Sequence, residues 1–365
     1  MSNILETVSI SRQNAALRTF NPAAVISEYL SRLSAREKEI LVGRWGLESG
    51  QTQTLEEIGK KLNLTRERVR QIEKEGLKKL SDSALPPSFA AGADLLFQII
   101  EEHGNAVRED LILEIVLSGR DSAVDEQGII FILNLLPRFV EFKETSEYHK
   151  AWTTAAFDRP LFDKIAAAAE EILKKAGRPL TKQELLEALQ VSLDPEEFLA
   201  LPAEAVASYL TIFKKIDRNP FGEWGLVFWP QIRPKDVGDK AFLVLSHGKQ
   251  PEHYVKITEL INKNKFDDRI AQKETVHNEL IKDNRFVLVG RGIYALSSWG
   301  YKPGVVADII EEILKKTQKP LSRSEIISQV LEQRLVKKNT IIVGLSNKQR
   351  FKKTPENKFI LADNA

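Results

Sequence analysis

Residues 63–80 read NLTRERVRQIEKEGLKKL, a stretch dense in charge whose apolar residues still keep a helical spacing. Val69, Ile72, Leu77 and Leu80, with Gly76 among them, recur three to five residues apart, so a helix here turns one narrow stripe toward a core. Thr65 is placed to cap that helix. Arg66, Glu67, Arg70, Gln71 and Lys74 then share the opposite face from the first turn onward. These side chains suit nucleic acid: Arg fits the O6/N7 edge of guanine, Gln fits adenine, Glu accepts from the cytosine amino group, and Lys fits phosphate. Taken alone, the same face is equally a solvated surface stitched by ion pairs.

The residues upstream favour the first reading. In TLEEIGKKL, residues 54–62, Thr54 and Glu57 have capping-box spacing before a short amphipathic helix, and Asn63-Leu64 make a tight turn into the longer one. Short helix, turn and polar-faced helix form a helix-turn-helix pattern. Another helix starts at Ser34, with Glu37 three residues on, through LSAREKEILVGRWGL. With its TLEEIG and TRERVRQIE cores, the stretch from LSAREKEIL to EGLKKL resembles region 4 of the sigma-70 family, which reads the promoter −35 element.

The resemblance implies roles for individual residues. Arg66, Glu67, Arg70 and Gln71 would approach base edges, and Lys60, Lys61, Arg68 and Lys74 would meet phosphate. Residues 41–47 and their flanks would sit on the flap of the RNA polymerase beta subunit. Gly76 stands where the family more usually has Ala, and a mid-helix Gly costs about 1 kcal/mol relative to Ala. Region 2 of a complete sigma factor, whose aromatic-rich helix unstacks the −10 element, has no counterpart in this sequence: Trp45, Trp152, Trp224, Trp229 and Trp299 lie in unrelated contexts. The expectation is a chain that does not melt a promoter by that route.

The 365 residues, 42% apolar and 28% charged, suit several small domains. No apolar run reaches the roughly 18 residues of a membrane span, and the N-terminus lacks a signal peptide's pattern, so a cytoplasmic, nucleoid-associated protein is expected. The absence of cysteine excludes disulfides, thiolate catalysis and Cys-ligated zinc. His103, His149, His247, His253 and His277 show no paired metal spacing; His247 and His253 read as surface or packing residues, and no metal or cofactor is expected. Charge is uneven along the chain. Residues 35–80 hold eleven basic and eight acidic side chains, 92–155 five and twelve, and 301–365 thirteen and seven. DNA contact is therefore expected toward both ends and protein contact in the acidic middle.

Residues 81–91, SDSALPPSFAA, have linker composition, so residues 1–85 are expected to bind DNA by themselves. Beyond them a pattern recurs four times: three helical stretches, then two short alternating strands around a polar or Gly-containing turn. The strand pairs open at Arg138-Phe139-Val140, Ile212-Phe213, Arg285-Phe286-Val287 and Arg350-Phe351. Three helices and a two-stranded wing describe a winged helix. The expected fold is mainly α with small β-hairpin wings: a helical extension over 1–33, a region 4 helix-turn-helix over 34–80, the linker 81–91, and winged helices over 92–155, 160–234, 235–301 and 303–363. The last two resemble HARE-HTH domains, the winged helix of the RNA polymerase delta subunit, most clearly in DDRIAQKETVHNELIKDNRFVLVGRGIYALSSWGY, residues 267–301.

In the fourth repeat Lys337 and Lys338 open the third helix and Lys348, Arg350, Lys352 and Lys353 lie in the wing; the lysines are read as phosphate contacts. In the first repeat Asp121, Asp125 and Glu126 flank the corresponding helix and would repel phosphate, which indicates a protein-binding or architectural role. The aromatics Phe221, Trp224, Phe228 and Trp229 read as packing between a wing and the next domain, or as a partner site. The leading function is a non-catalytic transcription protein that reads a −35-like element in duplex DNA and engages core RNA polymerase. The alternatives are a delta-like accessory subunit, or a repressor or nucleoid protein independent of polymerase. No nuclease cluster, phosphate-binding Gly loop or nucleophile-base pair supports an enzyme.

Overall fold

Asn21 accepts a hydrogen bond from the Ala24 amide at 3.0 Å and so starts α1 (Pro22–Leu30), the first complete helix of the computed structural model. The structure describes residues 16–199, 201–202, 204–301, 306–333 and 338–362, in two compact units, 1–217 and 218–365. In the first unit, α2 (Ala35–Trp45) ends at Gly46 in the left-handed conformation. Then come α3 (Leu55–Leu62) and α4 (Arg66–Ser81). Ser34 and Thr54 form the expected capping boxes with Glu37 and Glu57.

α5 (Pro87–Glu102) corrects the expected linker. From Pro87 onward residues 81–91 are helical, and Phe89 is fully buried. Pro at the first helical position costs no hydrogen bond, so the proline pair that reads as a linker also starts a helix. β1 (Ala106–Arg108), α6 (Glu109–Leu117), α7 (Ala123–Leu135), β2 (Val140–Phe142) and β3 (Ala151–Thr153) follow, with the three strands antiparallel in the order β1-β3-β2. β1 was missing from the sequence pattern because three residues are too few to show alternation.

One apolar core joins this sheet and its helices to the helix-turn-helix. Tyr29 of α1 lies on Phe89, with ring centroids 4.4 Å apart, and its hydroxyl donates to the Leu80 carbonyl at the end of α4. Trp45 meets Phe131 of α7 edge to face at 5.4 Å. At Gly92 an added Cβ would lie 2.3 Å from Phe20, and at Gly128 it would meet both Ile26 and Pro22 at 3.0 Å. These two helical glycines let α5 and α7 close on the N-terminal segment.

The next repeat has one helix more than expected: α8 (Arg159–Ala176), α9 (Lys182–Ser192), the short α10 (Pro195–Leu199) and α11 (Ala205–Ile212), then β4 (Ile216–Arg218) and β5 (Trp224–Leu226). Ile212, expected in a strand, instead ends α11. α11 docks on β1: the Ser208 hydroxyl donates to the Ala106 carbonyl and the Tyr209 hydroxyl to the Gly104 carbonyl, each at 2.6 Å. Backbone bonds from His149 to Ile212 and from Lys214 to Glu147, both 2.8 Å, extend the join.

In the second unit, α12 (Val237–Gly248), β6 (Glu252–His253), α13 (Tyr254–Asn264), α14 (Lys273–Lys282), β7 (Phe286–Gly290) and β8 (Ile293–Leu296) enclose one core with strand order β6-β8-β7. α15 (Val306–Thr317), α16 (Arg323–Gln333), α17 (Lys338–Leu345), β9 (Phe351–Lys353) and β10 (Phe359–Leu361) enclose another. His247 stacks on Phe221 at 4.1 Å and His253 caps α13, as packing residues do. Trp224 is buried, whereas Phe228 is exposed. Among the described residues no helix is long and apolar enough to cross a membrane.

The shared core alters what residues 1–85 can do alone. Cut there, the chain loses the cover of Phe20, Ile26, Tyr29 and Trp45, at about 1.5–3 kcal/mol for each large apolar side chain fully exposed. That sum rivals the whole stability of a small domain, about 5–15 kcal/mol. Residues 1–217 should melt in one cooperative transition while 1–85 should show no sharp transition by circular dichroism; equal melting temperatures would contradict the shared core.

Candidate nucleic-acid interface

The reading helix α4 is held from behind by a small core of its own. Val69 and Ile72 meet Ile40 of α2 and Ile58 of α3. Between α3 and α4 the chain turns through Asn63, left-handed at φ 52°, a conformation that Asn tolerates better than most residues. A Cβ at Gly59 would lie 2.7 Å from the Leu64 carbonyl oxygen, so the turn is tight enough to require glycine there. Thr65 then caps α4 by accepting from the Arg68 amide at 3.2 Å. Gly76 also has a reason: its missing Cβ would sit 3.3 Å from Leu41 Cδ1, so glycine lets α4 approach α2 and offsets its low helix propensity.

Two ion pairs fix α4 against α2. Arg44 reaches Glu73 at 3.3 Å, and Lys79 donates to Glu37, which is nearly buried. The Lys79 ammonium and the Ser34 hydroxyl and amide all stabilise the charged carboxylate, lowering the Glu37 pKa from 4.5 to about 2. Sequence reading missed both clamps. Partners twenty-nine and forty-two residues apart leave no local signal.

Arg66, Glu67, Arg70 and Gln71 are all exposed, as are Lys60, Lys61, Arg68 and Lys74. They are not equally free. Arg70 grips Glu67 with two nitrogens, at 2.6 and 3.0 Å, which holds the Glu67 carboxyl below its ordinary pKa. Arg68 donates to the Gln71 side-chain oxygen at 3.2 Å, so Gln71 must release that bond to read adenine with both its groups. Lys60 pairs with Glu56 and Lys61 with Glu39, each at 3.0 Å. Among the described residues Arg66 and Lys74 hold no ion pair. Arg66 also stands in the first turn, where backbone amides and the helix dipole favour an anion. The face is thus an exposed polar surface on which, among the described residues, Arg66 and Lys74 are the candidate residues without an ion pair.

The other expected contacts land differently. Of residues 41–47, Leu41 and Leu47 are buried and Trp45 packs on Phe131, so these three are turned inward. Phe131 of α7 thus covers Trp45, one part of the surface that a polymerase flap was expected to meet. Val42 and Gly43 remain partly open, lining a groove of about 420 Å³ with Lys38, Glu39 and Gln53. Asp125 accepts from the Ala23 amide at 3.1 Å and serves the packing of α7 on α1. Lys338, Lys348, Lys352 and Lys353 are exposed in the C-terminal module, while Lys337 lies outside the described residues. Among the described residues no cluster of His, Asp or Glu could hold a metal ion.

Residues 29–82 match the family model described as Sigma-70, region 4. This segment is a sigma-like DNA-binding domain. RNA polymerase sigma factor SigA1 of Synechococcus elongatus is 57% identical over 51 residues, 14% of this chain and 13% of that protein. SigA of Clostridium acetobutylicum is 53% identical over 51 residues, 14% of each chain. The principal sigma factor HrdD of Streptomyces coelicolor is 35% identical over 91 residues, 25% of this chain and 27% of that protein. The likeness therefore spans about a seventh to a quarter of these relatives. The match begins inside α1 and ends beyond α4, wider at both ends than the 34–80 expected from the motifs.

Because the Glu37 pKa is lowered on folding, its contribution to stability is fully present above 4.5 and is lost as pH falls through about 2. Glu37→Gln should therefore lower stability at neutral pH and flatten the loss between pH 4.5 and about 2, read as denaturation midpoints across that range. Parallel pH profiles for the two proteins would rule out this ionic clamp.

Proposed function

We propose that this chain is a non-catalytic transcription protein that reads a −35-like promoter element through α4 and engages bacterial RNA polymerase. The observation that carries the reading is the match of residues 29–82 to region 4, together with the exposure of Arg66, Glu67, Arg70 and Gln71 on one capped helix. Within the proposal, the four helix-and-strand modules after region 4 are winged helices, the last two of the HARE-HTH kind. The chain has no −10-melting segment of its own, so it works beside a complete sigma factor. Its place of action is the nucleoid.

A second reading, a delta-like accessory subunit acting mainly through protein contact, is favoured by α7 and α11. These helices, the last before the strands of the first two modules, are spent on packing within the chain. Polymerase contact would then come from the groove beside Val42 and Gly43 or from the later modules.

Selection from a random duplex pool tests base reading. Arg66→Ala with Glu67→Ala should relax the selected motif, each bidentate Arg-guanine pair contributing about 1–3 kcal/mol of discrimination, while Lys74→Ala should weaken all sequences alike. Identical motifs for wild type and the double variant would remove the assignment. Initiation is tested by permanganate footprinting on linear DNA. With core polymerase and this chain alone no thymine near the start site should become reactive, because unstacking costs a few kcal/mol per step that nothing in the proposal supplies. Reactive thymines in that mixture would make the chain a full initiation factor.

A further inference from the structure

The C-terminal module carries a groove whose apolar floor the DNA reading does not use. Its walls are α16, α17 and the β9-β10 hairpin, and it encloses about 590 Å³. Ile342, Leu345, Phe351 and Phe359 supply apolar lining, and Arg323, Lys348, Lys352 and Lys353 supply the charge. Among the described residues no carboxylate lines it.

Elsewhere in this module three basic side chains are matched, while Lys316, Lys319 and Lys338 hold no ion pair among the described residues. Arg350 pairs with Asp308 at 2.6 Å, Lys315 with Glu311 at 2.7 Å, and Lys358 with Glu356 at 3.6 Å. Among the described residues the four cations of the groove hold no such partner. Four unpaired cations thus line a concave site that also exposes apolar surface. Val343, one residue from Ile342 on α17, is 72% exposed and adds to it.

These features separate two kinds of anionic partner. A DNA duplex is a stiff convex rod whose phosphates meet lysines on protruding surfaces; laid across this groove, it would leave the floor unfilled. An acidic peptide with apolar side chains satisfies both parts at once, its carboxylates meeting the cations and its apolar groups leaving water on the floor. We propose that the groove between α17 and the wing binds an acidic, apolar-studded peptide segment of a partner protein. The groove lysines then serve protein recognition, in place of the phosphate contact expected of them.

The test uses the full chain and fluorescence anisotropy of a labelled peptide alternating Glu with Leu and Phe. That peptide should bind. Replacing its Glu by Lys should abolish binding, and replacing its Leu and Phe by Ser should weaken binding about tenfold or more. Lys352→Glu with Lys353→Glu, both exposed, should weaken the original peptide by about tenfold with an unchanged melting temperature. Ile342→Ser should weaken the peptide while leaving a random duplex unaffected. No binding of the original peptide, equal binding of its Ser form, or a double variant that loses duplex affinity alone would each overturn the proposal, the last by making the groove a DNA surface.

Discussion

The packing of Tyr29, Trp45 and their neighbours against α5 and α7 is the contact on which the rest of the first unit depends. It closes the back of the helix-turn-helix, where charge is sparse and leucines gather. A helix-turn-helix of this size has only a few buried side chains of its own, here Ile40, Ile58, Val69 and Ile72. That is too little apolar surface for a self-sufficient core. The chain meets the shortage by sharing one core between the DNA-reading helices and the module that follows. The glycines at 92 and 128 are the sequence's concession to that sharing, since any side chain there would hold the helices apart.

The same constraint explains what became of the helices that precede each strand pair. In an isolated winged helix that element is free to meet a ligand. In the first unit α7 is used to cover α1 and α2, and α11 is used to cover β1. Both carry more buried than exposed surface, and the hydroxyls of Ser208 and Tyr209 satisfy backbone carbonyls that would otherwise be stranded beneath α11.

How much was legible in the sequence follows from the range of each interaction. The capping boxes at Ser34 and Thr54, the turn at Asn63 and the apolar stripe of α4 are local patterns, and the residues expected on the opposite face are all exposed. The strand pairs after α7, α14 and α17 were visible because alternation and turn residues sit close together. What stayed hidden was long-range. Pro86-Pro87 reads as a linker until Phe89 is seen against Tyr29, and Leu41 reads as a docking surface until the neighbouring Trp45 is seen beneath Phe131. Ile212 was assigned to a strand because a β-branched residue beside Phe213 suits either state, and only the contact with β1 decides it. The groove of the last module was likewise invisible. Its lysines are plain in the sequence, but their lack of carboxylate partners is a property of the fold.

The shared core also makes orientation a matter of helical phase. A reading helix joined to its neighbours by a flexible tether lets them drift to any side of the duplex, whereas α4 is fixed to the acidic module through α1, α5 and α7. On the proposed reading, where region 4 sits on DNA determines which side of the double helix that module faces. Moving the recognised element by about five base pairs, half of a 10–10.5 bp turn, would carry the acidic face to the opposite side of the duplex, away from anything assembled beside it. Spacing between the element and its neighbours would then matter periodically rather than gradually.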